Sequence, residues 1–197
     1  MRNLLKNNIP NQWFFCNPFN NLSKNVIKKL SKKTGVIFFL DTKVRYKEFN
    51  KAIEPLVVIC RTKRIVFFLQ SSFFWASKFK ASGIFMDHSR KIMSNMVSLN
   101  YVRSRFLLAT KVHNIKEVVK YKEKSDLFFV SNVFKTNSYP NKKQMGVKNF
   151  IKLCIVLKKK LNYALGGVTE ENISLLKNKN FYGFGAIGYF NKKNGIQ

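Results

Sequence analysis

The chain has 197 residues and a formal net charge of +28, from 37 Lys and Arg residues against 9 Asp and Glu residues. Because 46% of the residues are hydrophobic, the chain can bury a sizeable core, which excludes an intrinsically disordered protein. The apolar runs are too short to span a bilayer and no secretory signal is evident. We therefore predict a cytoplasmic protein with no membrane partner and one domain, residues 1–197, with a basic tail from about residue 191.

The positive charge has two interpretations. It attracts polyanions, namely nucleic acid, anionic lipid or phosphorylated metabolites. It also follows from a compositional bias, because Lys, Asn, Ile and Phe are abundant together. The basic residues are spread along the chain, and such a distribution indicates a nucleic-acid site less strongly than a cluster would.

The three cysteines, Cys16, Cys60 and Cys154, are far apart and form neither a CxxC pair nor a zinc-binding spacing. This pattern predicts buried free thiols in a reducing compartment.

Short apolar runs alternate with amphipathic, Lys-rich stretches along the chain. The candidate strands are Trp13–Cys16, Val36–Leu40, Ile65–Leu69, Gly83–Met86, Phe106–Thr110, Leu127–Ser131, Tyr163–Leu165 and Gly183–Ile187. The helix candidates are Asn21–Lys32, Asn114–Lys124, Val147–Lys159 and Thr169–Lys177, the last with Thr169 as its N-cap. Eight apolar strands alternating with helices predict an α/β fold of the (βα)8 TIM-barrel type.

One segment, which begins at Glu54 with the sequence "EPLVVICRTKR", resembles a strand locally because Pro55 precedes a β-branched run. The barrel order requires a helix between Asp41 and Ile65. Either Pro55 lies inside a helix or the strand count is wrong here; we favour the helix because it preserves the alternation.

Glycines follow the last two predicted strands, in "YALGGV" and "FGAIGYF". Glycine lets backbone amides approach an anion closely, and the loops after strands seven and eight form the common phosphate site of a TIM barrel. The alternative is that these glycines are turn residues only.

Two blocks of sequence resemble the thiamine phosphate synthase and thiazole tautomerase superfamily. The first, "LGGVTEENISLLKNKNFYGFGAIGYF", resembles the C-terminal signature of that superfamily. The second includes "SNVFKTNSYP", followed by Gly146 and Phe150, and is similar to the pattern that follows the sixth strand of the family. Spacing and order agree from about Arg105 to Phe190, whereas the N-terminal half shares only the strand–helix rhythm.

The resemblance implies a barrel that binds a thiazole or thiamine phosphate at its C-terminal mouth, in thiamine biosynthesis or salvage. It assigns the substrate phosphate to Gly166, Gly167, Ile187 and Gly188. It assigns the pyrophosphate of a second ligand to Lys135, Thr136 and Ser138. His113 stands where the tautomerases carry a catalytic His, and an imidazole suits proton transfer on a thiazole ring; the alternative is that His113 only orients a loop.

The sequence departs from the family at the magnesium site. The Asn-Asp pair of the synthases falls at Gln70 and Ser71, and a second metal-binding Asp falls near Ser89 or Arg90. The nearest carboxylate is Asp87. Since magnesium needs oxygen ligands, we expect the metal site to be lost and Asp87 to be the one alternative ligand. Pyrophosphate charge would then be met by cations from the set Lys43, Arg45, Lys111, Lys135, Lys142 and Lys143.

Three functions remain open at this point. The first is a divergent synthase of this family, a transferase with a phosphorylated small-molecule partner. The second is a thiazole tautomerase-like enzyme or a binding protein for a phosphorylated thiazole. The third is a barrel without catalysis that binds RNA or another polyanion, which would require "KKLSKK" and "YVRSRF" to lie on one face.

Overall fold

The fold is a closed barrel of eight parallel strands, described by a computed structural model over residues 8–40, 44–87, 98–136, 143–176 and 181–193. Each strand pairs with the next along the chain, and β8 returns to pair with β1, so the sheet has no free edge. The predicted TIM-barrel architecture is confirmed. The strands are β1 Gln12–Cys16, β2 Thr34–Phe38, β3 Phe67–Gln70, β4 Gly83–Met86, β5 Leu107–Val112, β6 Leu127–Ser131, β7 Leu161–Leu165 and β8 Gly183–Ala186.

Seven α-helices lie among the described residues, and one 3-10 helix, Ile173–Leu176, follows β7. The α-helices are α1 Leu22–Lys29, α2 Tyr46–Thr62, α3 Phe73–Lys78, α4 Leu99–Arg105, α5 Ile115–Tyr121, α6 Gly146–Val156 and α7 Gly188–Lys193. Within the parts of the chain that are described, none of the helices has the length and apolar character needed to cross a membrane.

The ambiguous segment at Glu54 is helical, and Pro55 lies inside α2. The apolar residues Phe49, Ile53 and Leu56 of α2 are buried against the barrel. Burial of this face stabilises the helix despite the missing N–H of Pro55.

The expected helix Thr169–Lys177 is wrong. The side chain of Asn172 accepts a hydrogen bond from the Thr169 N–H (2.9 Å) and donates one to the Gly167 carbonyl (2.7 Å). Thr169 Oγ1 in turn accepts from the Asn172 N–H at 3.3 Å. These local bonds compete with an α-helix, and only a short 3-10 turn follows.

Two layers of side chains form the core. Strand residues alternate between the barrel interior, where Trp13, Phe68, Phe129 and Tyr163 pack together, and the outer face, where other residues meet the helices. Trp13 is fully buried, and its Nε1–H donates to the Pro10 carbonyl at 3.1 Å. Aromatic rings therefore fill the interior of the barrel towards the amino ends of the strands and leave space for a ligand at the carboxyl ends.

The three cysteines are free and buried, as the sequence predicts. Burial raises the pKa of each of the Cys16, Cys60 and Cys154 thiols from 9.0 to about 12. The folded chain thus holds these protons over a pH range in which the unfolded chain loses them.

We expect a thiol-reactive disulfide reagent at pH 8 to leave the native protein unmodified and to label three thiols per chain in denaturant. Because the folded-state pKa of the three thiols is raised, their contribution to the free energy of unfolding is complete below about pH 9. That contribution is lost as the pH rises towards 12. The measurement is the free energy of unfolding between pH 8 and 11, compared with that of a triple Cys→Ala variant. An equal pH dependence in the two proteins, or rapid labelling of the native chain, would contradict the prediction.

Candidate active site at the carboxyl end of the barrel

A cavity of about 510 Å³ opens where the strands end. Its volume is in the usual range for small-molecule sites, and its position at the C-terminal rim is where TIM-barrel active sites lie. The glycines after β7 and β8 and the loop after β6 line it together with polar residues at the ends of β3 and β4. The structure thus brings most of the sequence-predicted site residues to one rim.

Gly166 and Gly167 form a sharp turn after β7. Their φ angles are +91° and +67°, in the left-handed region that favours glycine. A Cβ added to Gly167 would lie 2.1 Å from the Lys135 carbonyl oxygen. The pair is therefore required by the backbone itself, in addition to any contact with a ligand.

Gly188 is different, because no atom lies within 4 Å of a Cβ added there. It begins α7 and lines the cavity together with its neighbour Ile187, which is 38% exposed. A side chain at residue 188 would project into open space at the mouth. Gly188 is consequently the position at which a ligand contact can be separated from a folding requirement.

The loop after β6 contacts the Gly166–Gly167 turn directly. The N–H of Phe134 donates to the Gly166 carbonyl at 3.0 Å, and the N–H of Lys135 donates to Gln144 Oε1 at 2.8 Å. Lys135 and Thr136 both line the cavity. Ser138 and Lys142 lie outside the described residues, as do Lys43, Ser89 and Arg90.

Polar side chains at the carboxyl ends of β3, β4 and β5 form a layer of the cavity wall. Lys111 Nζ lies 3.2 Å from Asp87 Oδ2, and Gln70 Nε2 donates to the same oxygen at 3.4 Å. Gln70 Oε1 accepts from the N–H of Leu40 at 3.0 Å, which fixes the amide. Ser71 is 2% exposed, and its hydroxyl accepts from the Asp87 N–H at 3.2 Å, so Ser71 supports the loop from below.

This layer does not match a magnesium site. Over the described residues, no three His, Cys, Asp or Glu side chains form a group that could hold a metal ion. Asp87 is the one carboxylate among the described lining residues, and Lys111 is its ion-pair partner. Magnesium is usually held by one or two carboxylates together with substrate phosphates, and the described lining offers a single carboxylate that is already paired with an ammonium, which is a poor fit.

His113 does not line the cavity. It follows β5, and its ring Nδ1 is hydrogen-bonded to the carbonyl of Ser131. Its backbone N–H donates to Glu117 Oε2 at 2.8 Å. In this arrangement the imidazole connects the ends of β5 and β6, whereas the side chain that reaches the cavity from β5 is Lys111, two residues earlier.

Sequence reasoning missed Asn17 and Asn132 as lining residues and did not predict the Asp87–Lys111 pair. A signal for the pair was available. In a strand, residues two apart share a face, and "FMD" and "ATK" place Asp87 and Lys111 on the same inward face as Phe85 and Ala109.

We expect Gly167→Ala to lower the free energy of unfolding by at least about 1–2 kcal/mol, since the substituted residue needs a left-handed backbone and its Cβ meets a carbonyl oxygen. Gly188→Ala is the matched control and should change it by less than about 0.5 kcal/mol. Urea denaturation measures both. Equal stability of the two variants would show that the Gly167 turn relaxes freely.

Comparison with known proteins gives a consistent result. A family model described as thiamine monophosphate synthase matches residues 15–188. A protein of Aquifex aeolicus (strain VF5) with the provisional name thiamine-phosphate synthase 2 is 24% identical over 175 residues, which are 86% of this chain and 90% of that protein.

Solved structures share the barrel. A thiamine phosphate pyrophosphorylase from Pyrococcus furiosus has a TM-score of 0.72 at 14% identity, with 93% of this chain and 88% of that chain covered. An HpcH/HpaI aldolase from Desulfitobacterium hafniense has a TM-score of 0.61 at 6% identity, with 99% and 93% covered. At such identities the likeness shows the fold and assigns no activity.

Proposed function

The chain belongs to the thiamine monophosphate synthase family, and from this premise we propose that it binds a thiazole or thiamine phosphate at the C-terminal mouth of the barrel. We further propose that it acts in thiamine biosynthesis or salvage as a transferase. The observation that carries the proposal is the cavity corner formed by Gly166, Gly167, Ile187 and Gly188, with open space beside Gly188.

Backbone amides support the choice of a phosphate ligand. In the proposed binding mode, the N–H groups of Gly167 and Gly188 donate hydrogen bonds to the anion, and neither residue has a side chain that would intervene. Charge-assisted hydrogen bonds of this kind contribute about 1.5–3 kcal/mol each. A dianionic phosphate with several acceptor oxygens suits such a corner.

The base of the cavity supports a heteroaromatic ring next to that phosphate. Phe15, Phe39 and Phe85 line it, with ring centroids of Phe15 5.7 Å from Phe39 and 5.2 Å from Phe85. Flat apolar faces favour a planar ring, and edge-to-face contacts stabilise it. A thiazole phosphate combines a ring for this surface with an anion for the glycine corner.

We assign a second anion to the part of the rim between β5 and the loop after β6, next to the Gly166–Gly167 turn. Lys135 and Thr136 lie on the loop after β6, and Lys111 lies on β5. Ser138 belongs to the same proposed group. In the coupling reaction of the family, a C–N bond forms between thiazole and pyrimidine, the C–O bond to pyrophosphate breaks, and the electron pair leaves with pyrophosphate. Cations near that leaving group would stabilise its developing charge.

The tautomerase alternative requires His113 to reach the ligand. The cavity lining does not support it, because His113 is not among the residues that line the cavity. The polyanion alternative required two basic segments on one face. "KKLSKK" begins in α1 and "YVRSRF" lies in α4, and α2 and α3 separate those helices around the barrel. Neither alternative is favoured by a specific observation, and the polyanion function is one outcome of the test below.

The test is calorimetric titration of thiazole phosphate, thiamine phosphate and a short RNA at two salt concentrations. We expect the two thiamine-related phosphates to bind the parent protein, and Gly188→Val to weaken them at least about tenfold through loss of one charge-assisted bond. The melting temperature of Gly188→Val should stay close to that of the parent, because its side chain enters open space.

A coupled assay then follows thiamine phosphate formation from the pyrimidine pyrophosphate and the thiazole phosphate. If neither thiazole nor thiamine phosphate binds while RNA binds with a steep salt dependence, the polyanion function replaces this one. If binding occurs and is equal in Gly188→Val, the glycines are turn residues and the phosphate corner is disproved.

A further inference from the structure

The Asp87–Lys111 ion pair lies on the wall of the cavity, across the barrel from the glycine corner. The side chains of Lys111 and Asp87 are 18% and 11% exposed, so the pair is screened from water far more than a surface pair. Asp87 follows β4 and Lys111 lies in β5, whereas the glycines follow β7 and β8. The ion pair and the glycine corner therefore lie at separate ends of the cavity.

Positive charge at this end comes from a side chain. Asp87 Oδ2 is the oxygen bonded to both Lys111 Nζ and Gln70 Nε2. A divalent ion on the same oxygen would have to lie beside the Lys111 ammonium and would be repelled by it. The donor set of the described residues thus favours a fixed ammonium over a magnesium ion.

We propose that Lys111, held by Asp87, is the cation that binds a pyrophosphate-type anion in this cavity, and that this binding needs no divalent metal. The inference rests on the proposed function only in taking the cavity as the ligand site. An ammonium has three N–H donors, and the bond to Asp87 uses one of them. The other two can bond to phosphate oxygens while Asp87 keeps the side chain directed at the cavity.

Asp87 affects anion binding in opposite directions in a site that uses the Lys111 ammonium and in a site that uses a magnesium ion. If it only holds Lys111, its negative charge opposes the incoming anion, and Asp87→Asn should strengthen anion binding. If it were a metal ligand, Asp87→Asn would remove the ligand and weaken metal-assisted binding. The sign of the change therefore separates an ammonium site from a magnesium site.

The experiment titrates inorganic pyrophosphate into the full chain by calorimetry, once with EDTA and once with magnesium, with the magnesium complex of pyrophosphate included in the ligand total. The parent should bind equally well, within threefold, under both conditions. Lys111→Met should weaken binding at least tenfold and Asp87→Asn should strengthen it severalfold. Lys148→Met, which removes the same charge from an exposed position on α6, should change the affinity less than threefold.

Folding is controlled with the double variant Asp87→Asn/Lys111→Met, which leaves no unpaired carboxylate. It should melt close to the parent and bind pyrophosphate at least tenfold more weakly than Asp87→Asn alone. The inference is overturned if magnesium strengthens parent binding tenfold and Asp87→Asn abolishes that gain, or if Lys111→Met behaves as Lys148→Met does.

The two proposals fail separately. Metal-free pyrophosphate binding that depends on Lys111, together with no binding of thiazole or thiamine phosphate, would support this inference and reject the proposed function. Gly188-dependent binding of thiazole phosphate, together with magnesium-dependent pyrophosphate binding, would do the reverse.

Discussion

Aromatic rings fill the barrel interior, and their packing determines which residues the neighbouring strands can carry. An eight-stranded barrel has room inside only for side chains, and Trp13 occupies the centre here, 4.8 Å from Phe68 and 6.1 Å from Phe129 by ring centroids. A Cβ added to Gly35 would lie 2.5 Å from the Trp13 ring, and one added to Gly83 would lie 2.6 Å from Phe68. Large rings on some strands thus require glycine on their neighbours.

The same pleat positions the chemistry. Because alternate residues point inward, the position two residues after an interior aromatic lies one layer nearer the mouth. Gln70 follows Phe68 in this way, Asp87 follows Phe85, and Ser131 follows Phe129. The aromatic layer excludes water from below, and the polar layer above it forms the base of the cavity wall. The position of a polar, solvent-accessible site above an apolar core therefore follows directly from the two-residue period of the strands.

The sequence predicts the order of the eight strands because continuous apolar runs survive at every strand position, and it predicts the glycine corner because Gly166 and Gly167 satisfy a local backbone requirement. It does not reveal α3 and α4, which have only six and seven residues, whereas the equally short α5 is revealed by Ile115, Val118 and Val119 at helical spacing. The family resemblance assigns a catalytic role to His113, which does not line the cavity, whereas Lys111 reaches the cavity because its side chain points inward from β5. The direction in which a strand side chain points depends on the register of the strand. Register is specified by the pairing of all the strands and not by one strand's sequence alone.

Net charge and the cavity act at different ranges. A charge of +28 draws any anion towards the molecule and cannot distinguish among them. Discrimination among anions requires contacts at fixed positions in a site screened from water. In this cavity the Asp87 carboxylate partly neutralises the Lys111 ammonium. A singly charged anion gains little binding energy from an ammonium that is already paired with a carboxylate. A multiply charged phosphate is attracted more strongly and can bind the ammonium alongside that carboxylate. In the proposed binding mode, the ion pair inside the cavity therefore favours highly charged anions over singly charged ones.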